Sequence, residues 1–236
     1  MSEQSWRSIW GAKRGTEGEV TADDEHTLVE LLTLNGYHTP TATVAPSTWR
    51  EHVLSLAERH ELRPGMRIFE VGCGAGAFLH PLARAGFVTD GLDFAPGLVA
   101  AARRALPEAQ LKVAEASALE TTPTYDLVVA NGVFLYFPSA AYAADVLHKM
   151  LAKSSRRVWV LDVNDADLMD EALAIRRASY PPGEYDRAYA GLEQLYLSRA
   201  WFEAFAAEHG LTCTFEPQTL PGYVSAHYRY HVFLSR

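Results

Sequence analysis

The sequence predicts an α/β fold: a doubly wound, mostly parallel seven-stranded sheet with an antiparallel C-terminal strand, covered by an N-terminal arm and an inserted lid. Three observations predict it. From residue 67 onward, short apolar runs alternate with helical stretches, the rhythm of successive βα units. The first apolar run leads straight into the glycine-rich turn Gly72-Cys73-Gly74-Ala75-Gly76. At the end, two strand-like runs follow one another with no helix between them, which implies an antiparallel pair at one sheet edge. A chain of 236 residues suits a single domain, 1–236, better than two.

The elements follow in order. Residues 1–46 read as a poorly periodic arm or cap, anchored by Trp6 and Trp10, with a basic spot at Lys13 and Arg14 and an acidic run at Asp23, Asp24 and Glu25. Residues 47–62 read as a helix with Ser47 as N-cap, since Trp49, Val53, Leu56, Ala57 and His60 recur at helical spacing. Strands are expected at 67–71, 87–92, 111–114, 125–130 and 158–161, with helices at 76–85 and 97–106 between the first three. Pro107 stops the second of these helices, and Ser139 caps a helix carrying Tyr142, Val146, Leu147, Met150 and Leu151. The run 125–130 is apolar throughout, as a strand buried on both faces requires. After residue 162 the rhythm breaks. Residues 163–197 form the lid, with a helix over 165–178 and then Pro181-Pro182-Gly183 and four tyrosines. A helix from Ser198 to His209 with Gly210 after it, and strands at 211–216 and 226–234, complete the chain.

Composition narrows the function classes. Lys plus Arg number 21 against 29 for Asp plus Glu, a net charge of −8, which repels phosphate backbones at long range and disfavours nucleic acid as partner. Cys73 and Cys213 are too few for a disulfide scaffold and form no CxxC pair. No apolar run is long enough to span a bilayer, and the start MSEQSWRSIWGAKRG lacks the hydrophobic core of a signal peptide. A cytoplasmic protein with no membrane partner is expected; the oligomeric state is left open. No metal is expected, because the only paired histidines, His227 and His231, lack further ligands at fitting spacing.

The glycine turn lets a ligand approach the backbone and offers free N–H groups at a helix start. Asp93 ends the second strand 19 residues after Gly74, where a carboxylate accepts hydrogen bonds from ribose hydroxyls. The turn lacks the dinucleotide form G-x-G-x-x-G, with Ala77 at the third glycine position, and no Gly-Lys-Ser/Thr follows as in a P-loop. An adenosine-bearing cofactor without phosphates fits these constraints.

At these residues the chain resembles the class I S-adenosylmethionine-dependent methyltransferases. EVGCGAG resembles their first motif, GLDFAPGLVAAAR the second-strand segment, VAEASAL the segment usually written Gly-Asp-Ala, and YDLVVANGVFLYFP the fourth-strand motif. VLDVND matches the region after strand five, where Asp162 is a conditional site residue. The resemblance is specific over residues 66–162. It implies S-adenosyl-L-methionine as cofactor, held by Glu70, Gly72, Cys73, Gly74, Gly76, Asp93, Phe94, Glu115, Ala116, Asn131 and Gly132. In that implication Glu70 orients the turn and the ammonium group, Glu115 and Ala116 flank the adenine, and Asn131 and Gly132 lie beside the methionyl part. Here Ala-Glu stands in place of the family's Gly-Asp, so the acid is one methylene longer.

Methyl transfer from a sulfonium has a neutral leaving group, so the protein chiefly aligns nucleophile, carbon and sulfur, and no nucleophilic triad is expected. A base serves a hydroxyl or ammonium acceptor and is unnecessary for a carboxylate. The histidines that offer one are His80, His227 and His231, the last two placed on one face of the final strand. Acceptor recognition in this family resembles a matter of variable insertions, here the arm and the lid. Tyr37, Phe134, Tyr136, Arg176, Tyr180, Tyr185 and Tyr189 are the substrate-binding candidates, a mixture of phenols and a guanidinium suited to a small acceptor with an acidic or aromatic part. The expected function is methylation of an oxygen or nitrogen of a small molecule. Protein or RNA methylation, and a non-catalytic cofactor- or partner-binding domain, are the alternatives.

Overall fold

The protein is described by a computed structural model over residues 5–15, 24–39 and 42–236. Residues 6–12 form α1 (Trp6–Ala12), opened by a capping box in which Ser5 and Ser8 exchange side-chain and backbone hydrogen bonds. Next come α2 (Asp24–Leu34) and a small hairpin of β1 (His38–Thr39) and β2 (Ala42–Thr43). The arm is thus more regular than its sequence suggests. Thr27, Leu28, Leu31 and Leu32 make one buried helical face, a stripe too short to stand out among the threonines. Asp23, the first residue of the acidic run, lies outside the described residues.

Helix α3 (Pro46–Arg59) begins one residue before the expected Ser47, with Pro46 in its first turn and Ala45 as a cap that makes no side-chain bond. Proline sets the helical φ and needs no N–H there, so it replaces the expected serine cap. Then follow β3 (Arg67–Val71), α4 (Leu79–Arg84), β4 (Val88–Asp93), α5 (Pro96–Ala105), β5 (Leu111–Val113), β6 (Tyr125–Asn131), α6 (Ala140–Lys153) and β7 (Ser154–Asn164). Ser139 caps α6 as expected, accepting from Tyr142 N at 3.2 Å. Strand β7 is longer than the expected 158–161, because its polar start pairs with Tyr125 and its end pairs with the last strand.

The lid contains a 3-10 turn at 166–168, α7 (Met169–Ala178) and the short α8 (Glu184–Ala188). Helix α9 (Arg199–His209) is capped by Ser198 and closed by Gly210 in the left-handed region, φ +63°. β8 (Thr212–Pro217) and β9 (Arg229–Ser235) end the chain.

The seven strands lie in the order β5-β4-β3-β6-β7-β9-β8. β9 runs antiparallel to both its neighbours, and the other neighbouring pairs are parallel. Alternation along the strands sends Ile68, Leu127, Val129, Trp159 and Leu161 to one core and Phe69, Val71, Val128, Ala130, Val158 and Val160 to the other. Apolar faces of α2 to α5 fill the first core, while α6 and α9 fill the second. The chain therefore winds one way from β3 to β5 and the other way from β6 onward. The reversal falls between β3 and β6, where ligands of open α/β sheets bind beyond the strands' carboxyl ends. No described helix is long and apolar enough to cross a membrane.

Candidate active site

A cavity of about 960 Å³ opens at that reversal. One end is built by the turn after β3 and the ends of β4 and β6. Gly72 has φ +75°, and a Cβ there would lie 2.5 Å from Val133 Cγ2, so both backbone conformation and space require glycine. Asp93 accepts from Gly74 N at 2.9 Å through Oδ2 and from Ala95 N at 2.8 Å through Oδ1, tying the glycine turn to the start of α5. Burial raises its pKa, and these two N–H groups oppose the rise. Each carboxylate oxygen keeps a second lone pair, and Asp93 lines the cavity. Below the turn, Glu70 is fully buried, its pKa pushed well above the usual range by burial and then by the Asp93 charge. Its Oε2 has no hydrogen-bond partner among the described residues. A buried oxygen of that kind fits a missing cationic or donor group.

Asn35, after α2, braces the turn and lines the cavity beside it. Its Oδ1 accepts from Ala75 N at 2.7 Å and its Nδ2 donates to Cys73 O at 3.3 Å. Helix α1 lies across the same end of the cavity. Arg7 pairs with Glu115 and sits 5.4 Å from the Phe94 ring centre. Lys13 Nζ donates to Leu34 O at 2.7 Å and lies 4.0 Å from the Trp10 ring centre; burial pulls its pKa down to about 8.

The other end is aromatic and cationic. Tyr136 contacts Trp6 and Trp10 with ring centroids at 4.8 and 5.4 Å, and burial pushes its hydroxyl up to about 12. Arg176 donates to Gln194 Oε1 at 2.8 Å and lies 5.2 and 5.1 Å from the Tyr185 and Tyr189 ring centres. Trp6 Nε1 donates to Glu193 O at 2.9 Å, so arm and lid meet above the cavity.

Behind them Asp162 bonds three side chains. Its carboxylate accepts from Gln218 Nε2 at 3.0 Å, from Tyr223 Oη at 2.8 Å and from Arg229. Asp162 itself has φ +61°, a strained conformation for a non-glycine residue, and its N–H donates to His231 Nδ1 at 3.1 Å. Burial opposes the charge on Arg229, but Asp162 and then Tyr223 outweigh it and raise its pKa. Tyr37 Oη accepts from Asn131 Nδ2 at 3.0 Å, which fixes the end of β6 against the arm.

Among the cofactor candidates, Gly72, Gly74, Asp93, Phe94, Glu115, Ala116, Asn131 and Gly132 line the cavity. Glu70 and Cys73 are buried beneath the turn, and a Cβ at Gly76 would lie 2.9 Å from Leu106 Cδ1, marking it as a position of close packing. Among the substrate candidates, Tyr37, Tyr136, Arg176, Tyr180, Tyr185 and Tyr189 line it. Phe134 instead points into the second core, 4.8 Å from Phe137 and 6.5 Å from Phe202 between ring centroids.

The three histidines sit outside the cavity wall. His80 is buried beside Asp24, at 3.4 Å. His227 belongs to a 3-10 turn over 224–228, so it does not share a strand face with His231 as the sequence suggested. His231 is buried against Asp162 and the His52 ring. No cluster of metal-ligating side chains occurs among the described residues.

Sequence reasoning missed Asn35, Arg229, Tyr223 and Gln218. Asn35 reaches Cys73 across 38 residues, Gln218, Tyr223 and Arg229 reach Asp162 across 56 or more, and no motif spacing encodes such contacts. Only the unusual arginine within the apolar run at 226–234 offered a signal.

Comparison with known proteins bears on this geometry. Residues 69–156 match a family model described as a methyltransferase domain. The chain is 34% identical over 101 residues to trans-aconitate 2-methyltransferase of Methylobacterium nodulans, covering 41% of this chain and 38% of that protein. It is 29% identical over 139 residues to magnesium-protoporphyrin O-methyltransferase of Synechocystis, covering 53% and 56%. The chain spans between 6% and 56% of the length of the curated relatives it matches. The crystal structure of magnesium protoporphyrin IX methyltransferase from Synechocystis with bound SAH superposes with a TM-score of 0.60 at 17% identity, covering 98% of this chain and 92% of that one. That likeness establishes the shared fold.

Proposed function

We propose, from the premise that this chain is a class I S-adenosylmethionine-dependent methyltransferase in its fold and its matched domain, that it transfers a methyl group from S-adenosylmethionine to an oxygen or nitrogen of a small-molecule acceptor. One observation carries this reading: a single cavity joins the glycine turn and Asp93 to a chamber roofed by α1 and the lid. When bound, S-adenosylmethionine supplies a methyl carbon on a positively charged sulfur that departs as a neutral thioether.

The chain's residues divide the remaining work. Asp93 would accept the ribose hydroxyls, held in place by Gly74 N and Ala95 N. The orphaned Glu70 Oε2 and the glycine turn suit the ammonium end. Phe94, Glu115 and Ala116 would flank the adenine under Arg7. Asn131, fixed by Tyr37, and Gly132 would border the reacting centre. Trp6, Trp10 and Tyr136 pack on one another along the chamber and would limit the acceptor's size and orientation, which suits a displacement needing alignment above all.

The test is transfer of labelled methyl from S-adenosylmethionine into fractionated cell extract. Label is expected in the small-molecule fraction. Label confined to RNA or protein would overturn the proposal.

A further inference from the structure

The acceptor end of the cavity carries a definite charge. Arg176, Arg229 and Tyr136 all line it. Arg229 has a side chain only 7% exposed and is balanced by one carboxylate, Asp162. Arg176 has the neutral Gln194 amide as its hydrogen-bond partner and pairs with no carboxylate among the described residues. Inside the cavity two guanidiniums thus stand against one buried carboxylate, Asp162, while the Glu193 carboxylate is exposed to solvent at the rim. An excess cation in such a place favours an anionic ligand and disfavours an ammonium.

Within its buried part the cavity also holds no unengaged base among the described residues. No histidine lines it. Asp93 is engaged by two backbone N–H groups, Glu115 by Arg7, and Asp162 by Arg229, Tyr223 and Gln218. Glu193 is exposed at the rim, and the Lys13 ammonium donates to Leu34 O and lies over the Trp10 ring. A hydroxyl or ammonium acceptor would need its proton removed, whereas a carboxylate already carries a free lone pair at neutral pH.

Charge and missing base point to one substrate class. We infer that the methyl acceptor is a carboxylic acid, bound as its anion at Arg176 and Arg229 and methylated on a carboxylate oxygen to give a methyl ester. This inference rests on the methyltransferase reading above. A lone pair of the carboxylate oxygen forms the new C–O bond. The C–S bond breaks with its electron pair left on sulfur, and no proton is moved. The sulfonium and carboxylate charges cancel, giving a neutral thioether and a neutral ester. Because the guanidiniums bind the anionic ground state at least as strongly as the transition state, in which the carboxylate charge is being cancelled, removing one should raise KM without lowering kcat.

The experiment titrates wild type and Arg176→Gln with benzoate, phenylacetate, succinate and benzyl alcohol, each in saturating S-adenosylhomocysteine, and follows thermal unfolding. In parallel, methyl-tritiated S-adenosylmethionine is turned over with the same probes and the product is treated with base, which releases methyl esters as volatile methanol and leaves ethers intact. Acids are expected to raise the unfolding midpoint beyond the increment from S-adenosylhomocysteine alone, and the alcohol is not. Arg176→Gln should retain the cofactor increment, weaken the acid response about tenfold, and show that loss in KM. The labelled product should be base-labile. Acids without effect on the wild-type complex, a base-stable product, or an unchanged acid response in Arg176→Gln would overturn the inference while leaving the methyltransferase reading intact. A missing S-adenosylhomocysteine increment in the wild type would remove that reading, and this inference with it.

Discussion

Asp93 makes two kinds of contact at once, and its replacement separates them. Its oxygens hold Gly74 N and Ala95 N, and the same carboxylate is placed to receive a ribose. Asp93→Asn keeps one acceptor oxygen and loses the charge, so the fold should persist while affinity for S-adenosylhomocysteine falls about tenfold, as titration calorimetry would register. Unchanged affinity would mean the ribose contact is misplaced. Gly72→Ala meets both a left-handed φ and Val133 at 2.5 Å. It should cost about 1–3 kcal/mol in denaturant unfolding, and adding Val133→Ala should relieve only part of that, since the backbone strain stays. Full recovery in the double variant would show that space alone sets the requirement. These residues were legible because the signal was local: glycines at fixed spacing and an acid at the next strand's end. Asp162 was half-legible. Its place after the fifth strand drew attention, but its bonds to Gln218, Tyr223 and Arg229 arise from chain segments more than fifty residues away.

At the scale of elements, local chemistry again decides what could be read. Strands β3, β4 and β6 lie within a residue of expectation because their runs are bounded by turns or polar residues. α6 begins after its predicted serine cap, and α9 begins one residue after the expected Ser198, which caps it. The arm was read as a cap anchored by Trp6 and Trp10, but its helix went unread because α1 buries no residue and docks through Trp6, Trp10 and Arg7, contacts that only the folded cavity provides. A seven-residue helix of this kind has little stability of its own. Hydrogen exchange should therefore find the amides of 6–12 among the fastest in the free protein, and ligand in the cavity should slow them. Equal exchange with and without S-adenosylhomocysteine would deny α1 a part in closing the site.

For the whole molecule, buried titratable groups link stability to pH. Burial pulls His52 and His231 down to about 4, so both stay neutral in the folded protein while the unfolded chain takes up protons below about 6.5. The unfolded state then binds more protons between these values, and the histidines' contribution is full above about 6.5 and lost as pH falls toward 4. Glu70 and Asp93, with raised pKa values, push in the opposite sense, so the comparison must be with a variant. The unfolding midpoint of His231→Asn should fall less steeply than the wild type's between pH 6.5 and 4.5. Parallel curves would contradict the assignment.

The charge of −8, read from composition as a mark against nucleic acid, takes on local detail in the fold: acidic overall, yet cationic where the acceptor would bind. No composition count reveals that contrast, because it depends on which arginines the fold buries.

The glycine turn and Asp93 suit an adenosyl amino-acid cofactor and not a dinucleotide. Titration calorimetry of the intact protein with S-adenosylhomocysteine and, separately, with NAD tests this most directly. One equivalent of S-adenosylhomocysteine should bind, with affinity lost in Asp93→Asn, and NAD should give no saturable heat. Saturable binding of NAD with none of S-adenosylhomocysteine would contradict the account.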